Sequence, residues 1–175
     1  MSIRDFEEHS PSIDSTAFVD ESAVVIGNVS LGADSSVWPL TAIRGDIHSI
    51  TIGDRSNIQD GSVLHVTHDS EYAPGGNPLV IGDDVTVGHK VILHACTIGN
   101  RCLVGMGATV LDGAVLEDEV MLGAHSLVAP NKVLESGYLY VGVPAKKVRE
   151  ITDKEREWLR YSAAHYVDLK DRHKA

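Results

Sequence analysis

Two histidines, His89 and His94, stand five residues apart in the stretch Ile81–His94 (IGDDVTVGHKVILH), and a third, His65, ends the stretch Asn57–His65 (NIQDGSVLH). Imidazole is the commonest metal ligand among side chains and changes charge near neutral pH. Three imidazoles with a fourth position left open make the ligand set of a hydrolytic or hydrating zinc site. Such a metal lowers the pKa of a bound water towards neutrality and so supplies a hydroxide nucleophile at working pH. Arg44, Gln59 and Asp60 lie close by in sequence. Convergence of these groups depends on the frame that carries them.

That frame has a period of six. Ile13, Val19, Val25, Leu31, Val37 and Ile43 are spaced by six, and the register resumes three residues late at Ile52, Ile58 and Leu64. After a polar, Gly/Pro-rich stretch, Val66–Pro78, it restarts at Ile81, Val87 and Leu93, slips by one, and runs Ile98, Val104, Val110, Leu116, Leu122, Val128, Leu134 and Tyr140. All twenty positions are large and apolar, and small or branched residues such as Ala23, Ser56, Cys102 and Ala108 follow many of them four places on. An amphipathic helix needs apolar residues three and four apart, and a long strand needs alternation. A period of six fits neither; it fits a parallel β-helix with one inward aliphatic per short strand and three strands per triangular coil. Glycines directly after the aliphatic, such as Gly53, Gly82 and Gly99, are expected to ease the corners. The expected fold is an all-β solenoid over 13–145 with a loop at 66–78, preceded by an N-terminal segment 1–12 and followed by a C-terminal helix at 150–172. In that helix Thr152 and Glu155 read as a capping box, and Trp158, Leu159, Ser162, Tyr166 and Leu169 as the buried face.

The coil grid places the candidate ligands. Arg44, His65 and His94 each follow the third aliphatic of a coil, so they stack in one outward column with His65 and His94 on adjacent rungs. His89 lies on another face, in the slot that Asp60 fills one coil earlier. Five extended residues, roughly 16 Å, separate His89 from His94. His89 is therefore expected to reach the His65/His94 pair of a neighbouring chain around a threefold axis.

Composition narrows the function classes. Aromatic residues make up 5% of the chain, which suits narrow layers of aliphatics, and the formal net charge of −10 excludes nucleic acid and anionic membrane as favoured partners. Cys96 and Cys102 form no CxxC pair and read as buried thiols of a reducing compartment. Met1–Pro11 is polar and no apolar run of about 18 residues occurs, so a soluble cytoplasmic protein is expected.

The ordered motifs RGD (Arg44–Asp46), NIQDGSVLH (Asn57–His65), GHKVILH (Gly88–His94) and VGVPAKKVRE (Val141–Glu150) resemble the gamma-class carbonic anhydrases and their close homologues among hexapeptide-repeat proteins. The resemblance implies a left-handed β-helix and a homotrimer with zinc, or iron when kept anaerobic, at each subunit interface. It implies His65 and His94 from one chain and His89 from the next as ligands, with carbon dioxide or bicarbonate as substrate. Gln59 would hydrogen-bond the metal-bound water or bicarbonate, Asn57 would help orient substrate, and Tyr166 would lie over the site. Arg44 and Asp60 would pair across the interface with Asp46 in support. Ile47 stands where prototypes carry a glutamate, and the 66–78 loop offers only Asp69 and Glu71 where they carry a proton-shuttle glutamate. His68 is the shuttle expected in its place, and weak activity is expected to follow. Two other readings share this fold: an acyl-CoA-dependent acyltransferase with one catalytic histidine, and a non-catalytic metal-binding protein.

Overall fold

A computed structural model describes residues 3–174. The period of six becomes coils of short parallel strands. Thr97–Ile98 pairs with Val115–Leu116 eighteen residues on, and Leu103–Val104 pairs with Met121–Leu122 at the same interval. Twelve strands form a sheet folded over two long bent strands, Val24–Leu31 and Ala42–Ile52, and eight more form a second sheet. The solenoid is that of a left-handed β-helix of hexapeptide repeats. Eighteen of the twenty predicted inward aliphatics are buried; Ile13 and Val19, at the open N-terminal end, are partly covered. No helix among the described residues is long and apolar enough to cross a membrane.

The breaks in period have clear outcomes. The three-residue delay after Ile43 is absorbed within Ala42–Ile52, which pairs Ile43 with Leu64 at an interval of 21. The 66–78 insertion stretches the next interval to 29, yet Leu64 still pairs with Leu93 and His65 with His94. The loop leaves the coil and returns without disturbing the ladder.

The glycines act differently from expectation. The left-handed φ falls two places further on, as at Asp34, Arg55, Asp84 and Arg101, each with φ between 53° and 57°. At Gly53 the constraint is close approach, because a Cβ there would sit 2.6 Å from the carbonyl carbon and oxygen of Gly82 on the next coil.

Both predicted ends need correction. Ile3–Arg4 pairs in parallel with Val25–Ile26, so part of the N-terminal segment belongs to the sheet. Lys146–Glu150 forms an antiparallel strand against Tyr138–Val141, and the helix begins later, at Asp153, running to Lys174. The new strand caps the C-terminal edge of the second sheet, an edge otherwise open to strand pairing. Cys96 and Cys102 are both free and buried, and burial pushes each thiol up to about 12.

The helix lies along its own solenoid. Leu159, Ser162 and Ala163 are buried and Tyr166 packs edge-on against Trp38, with ring centroids 5.5 Å apart. Trp158, expected on the buried face, is 52% exposed. Lys170 is buried instead, its Nζ 3.0 Å from Asp34 Oδ1. At the other end the capping box forms: Glu155 N donates to Thr152 Oγ1 at 3.2 Å, and Thr152 N donates to Glu155 Oε2 at 2.8 Å. Hydrogen bonds from Arg149, then from the Thr152 backbone, hold the Glu155 carboxyl at about 2. A depressed folded-state pKa gives stability that is present above the ordinary carboxylate range and lost as pH falls through it towards 2. Glu155→Gln is therefore expected to lower stability by about 1 kcal/mol at pH 7. Thermal melts of the two proteins should converge as the pH approaches 2; a constant gap down to that pH would assign the effect to something other than the carboxylate charge.

Candidate metal centre

Strand register alone brings two of the three histidines together. His65 ends Val63–His65, His94 ends Ile92–His94, and these strands are parallel neighbours in register. His65 Nδ1 lies 3.2 Å from His94 Nε2, and the rings tilt towards each other with centroids 5.2 Å apart. Two nitrogens at zinc distance with a tetrahedral angle between them stand about 3.3 Å apart. The spacing fits.

The outer nitrogens of the pair are held by carboxylates. His65 Nε2 lies 3.0 Å from Asp46 Oδ1, and His94 Nδ1 lies 2.9 Å from Asp112 Oδ2. A carboxylate can only accept, so each facing nitrogen carries the proton. The inner nitrogens, His65 Nδ1 and His94 Nε2, then present lone pairs to one another, an unfavourable arrangement that a cation between them would relieve. Burial would raise Asp46, but hydrogen bonds from Arg44 and His65 overcome it and hold this carboxyl low. Asp112 behaves likewise: burial opposes, and Thr67 and His94 together bring it down. Burial pushes the His65 imidazole below its usual range, more than its bond to Asp46 raises it, and Arg44 adds repulsion. The ring is thereby kept in the neutral form a metal needs.

His89 sits apart from this pair, on the other face, exposed. Its Nδ1 lies 3.0 Å from Asp60 Oδ2, which leaves Nε2 as the free nitrogen. No group of three or more His, Cys, Asp or Glu among the described residues is arranged to hold a metal within one chain. Each of the three histidines thus has its own carboxylate, a pattern that orients metal-ligating imidazoles and raises their basicity.

The remaining predicted residues fall in three places. Arg44 pairs with Asp46 within the chain, while Asp60 is engaged with His89, so no Arg44–Asp60 pair forms within the chain. Gln59 and Asn57 are buried: Gln59 Nε2 donates to Asn57 Oδ1 at 3.0 Å, and Asn57 Nδ2 donates to Thr86 Oγ1 at 3.1 Å. Thr86 Oγ1 is in turn 2.9 Å from Ser162 Oγ on the helix. Asn57 is thus a support for Gln59 and is covered from solvent. Tyr166 is half-buried beside this line; burial, then the Asp60 charge, raises its phenol. His68 is exposed on the loop and borders a concavity of about 580 Å³ that reaches Asp112.

Sequence reading missed Asp112 and Thr67. Thr67 Oγ1 donates a short hydrogen bond to Asp112, tying the start of the loop to the carboxylate that holds His94. The available signal was a lone aspartate one coil after His94, in a slot occupied elsewhere by ordinary turn residues. His165 and His173 are exposed on the helix. His173 packs edge-on to Trp38 at 5.1 Å, and His165 borders a groove beneath the helix.

Comparison with known proteins agrees with this architecture. A family model described as bacterial transferase hexapeptide (six repeats) matches residues 78–112. The chain is 59% identical to Protein YrdA of Escherichia coli strain K12, over 97% of this chain and 92% of that protein. It is 41% identical to the mitochondrial gamma carbonic anhydrase 1 of Arabidopsis thaliana over 96% of its own length, and it spans 61% of the plant protein. A crystal structure of a hexapeptide transferase family protein from Anaplasma phagocytophilum superposes with a TM-score of 0.88 at 43% identity, covering 95% of each chain.

Proposed function

The chain belongs to the gamma carbonic anhydrase-like family of hexapeptide-repeat proteins, and on that premise we propose that it is a homotrimeric metalloprotein that hydrates carbon dioxide reversibly to bicarbonate. Zinc is the proposed metal, with iron as the anaerobic alternative. The reading rests above all on the His65/His94 pair: two facing nitrogens at 3.2 Å, each ring fixed from behind by a carboxylate. His89, held by Asp60 with Nε2 free, is the third ligand, contributed to the pair of a neighbouring subunit. A zinc ion in this cage would supply the Lewis acidity that makes water a nucleophile near neutral pH.

The chain's own residues have separable tasks. Asp46, Asp60 and Asp112 fix the protonated nitrogen of each imidazole and thereby aim the other one. Gln59, locked by Asn57, offers its amide towards the site's edge beside His89. Tyr166 closes that edge from the helix. Arg44, already paired with Asp46, faces Asp60 of the next subunit and keeps the two chains in register. Hydration releases a proton at each turnover, and His68 on the neighbouring loop carries it to buffer.

Val63 and Ile92, apolar and 45% exposed, stand in register on the strands that end in His65 and His94. They suit a face covered by another subunit. A hexapeptide acyltransferase is the competing reading, favoured by the similarity to the hexapeptide transferase family protein of Anaplasma phagocytophilum. Metal analysis, acetyl-CoA titration and stopped-flow hydration separate the two. The expected result is about one zinc per chain, no acetyl-CoA binding, and hydration above the buffer rate. Acetyl-CoA binding without zinc would establish the transferase, and zinc without hydration a non-catalytic metal protein.

A further inference from the structure

A line of buried polar side chains joins the helix to the edge of the site. Ser162 Oγ lies 2.9 Å from Thr86 Oγ1, Asn57 Nδ2 donates to Thr86 Oγ1 at 3.1 Å, and Gln59 Nε2 donates to Asn57 Oδ1 at 3.0 Å. All four residues are buried. Desolvating them costs free energy that an apolar seat for the helix would avoid. The rest of the same outward column is apolar, with Leu103, Met121 and Leu139 following Thr86 one per rung. The column is polar at Ser36, Asn57 and Thr86, on the rung that carries Gln59 and the two beside it.

The line has one polarity. Asn57 Nδ2 lies 3.3 Å from the carbonyl oxygen of Val85, which can only accept, so the amide nitrogen of Asn57 is fixed at the Thr86 end. Its Oδ1 then faces Gln59 and can also only accept, so Gln59 must present Nε2 to it. That leaves Gln59 Oε1, an acceptor, for the groove beneath the helix. Every buried side-chain nitrogen and oxygen among the described residues has a partner, and none of those residues donates to Oε1, so this atom reaches the surface. No other hydrogen bond among them holds the Gln59 amide. On one neighbouring coil it stands against Gly88, which has no side chain, and on the other against Trp38, whose Nε1 donates to Ser36 Oγ at 3.0 Å.

We propose that Ser162 and Thr86 are positioning residues for the reacting centre: acting through Asn57, they hold Gln59 with Oε1 outward beside His89, where it accepts from an oxygen that carries a proton. Water and the hydroxyl of bicarbonate both offer such an oxygen. This rests on the proposed function in taking Gln59 as the group that meets them. The helix can set the line because it is clamped on both sides of Ser162. Arg156 Nε lies 3.2 Å from Glu119 Oε2 near the helix start, and Lys170 Nζ lies 3.0 Å from Asp34 Oδ1 near its end. A fully satisfied buried network of this kind favours one arrangement over its alternatives. Here the arrangement selected is the orientation of one amide.

Nitrogen NMR of the metal-free protein and stopped-flow hydration by the zinc-loaded protein test it together. Thr86→Val keeps a β-branched side chain in the strand and removes the hydroxyl. Ser162→Ala removes the helix end of the line and carries the test alone if Thr86→Val does not fold. In the metal-free protein each should move the Gln59 side-chain amide resonances and speed exchange of the Nε2 protons with water. In the zinc-loaded protein each should lower kcat/KM about three- to tenfold, the worth of one neutral hydrogen bond, with zinc affinity unchanged. Thr86→Ser should restore both readouts. The double variant Thr86→Val/Ser162→Ala leaves neither hydroxyl unpaired, so its melting temperature should return close to that of the unaltered protein while the rate stays low. Recovery of rate together with stability would show a merely structural role and overturn the proposal. So would a Gln59 amide that neither single variant moves, whatever the metal content, or full hydration in a variant whose amide has moved. A moved amide in a protein that neither binds zinc nor hydrates carbon dioxide would uphold the alignment and remove the zinc reading instead.

Discussion

His89→Ala is expected to strip metal from the protein as completely as His65→Ala, although the two residues are on different faces of one chain. In the proposed trimer each site draws His65 and His94 from one subunit and His89 from the next. Each single variant then lacks one ligand at all three sites. Mixing the two variants and allowing subunits to exchange should recover activity neither possesses. A site is whole only where a chain with an intact pair meets a chain with an intact His89, and random assembly of equal amounts makes that combination at about a quarter of the interfaces. Zinc content and hydration should both return to about that fraction. Loss of metal should also lower thermal stability, since saturation at a thousandfold above Kd contributes about 4 kcal/mol. Full zinc occupancy in His89→Ala, or no recovery on exchange, would place the ligands within one subunit and end the shared-site reading.

What made the His65/His94 pair legible in advance was the rigidity of the repeat. Once each strand donates one inward aliphatic, the next residue in the chain has a fixed face and rung, so Leu64 and Leu93 determine where His65 and His94 stand. Insertions do not blur this, because a solenoid ejects surplus residues as loops, and the 66–78 insertion leaves the ladder intact. Side-chain partnerships were less visible. Asp112 reaches His94 only because its side chain turns back towards the previous coil, which a grid of Cα positions does not encode. The resemblance implies that Asn57 helps orient substrate, yet the helix lands over Thr86 beside it and the side chain is buried. The landing position was hidden because the helix has a weak apolar stripe. Its seating depends on the buried Lys170 and the Ser162 hydroxyl as much as on Leu159. The glycines show the same limit: the pattern marked the corners correctly, while the reason, backbone approach between coils at Gly53 in place of a left-handed φ, belongs to three dimensions.

Asp112→Ala is expected to weaken zinc binding by about 10- to 100-fold, the usual cost of removing a carboxylate behind a metal-ligating imidazole. The side chain is 37% exposed and the strands on either side are untouched, so the fold should persist with little change in melting temperature of the metal-free protein. The loss should come from His94. Without the carboxylate its Nδ1 is no longer committed to the proton, the ring can adopt the other tautomer or rotate, and Nε2 no longer faces His65 Nδ1. Asp112→Asn offers a control, since its carbonyl oxygen can still accept from His94 Nδ1 and preserve the tautomer while the negative charge is gone; most of the affinity should survive. Thr67→Val should fall between the two, because it frees the carboxylate to move without removing it. Zinc dissociation constants from chelator competition give the order of the three variants, and nitrogen NMR of the metal-free protein reads the His94 tautomer directly. An unaltered zinc affinity in Asp112→Ala would mean that the strand register alone holds His94 in place. The ordered series would mean that the loop, through Thr67 and Asp112, is part of the metal site it borders.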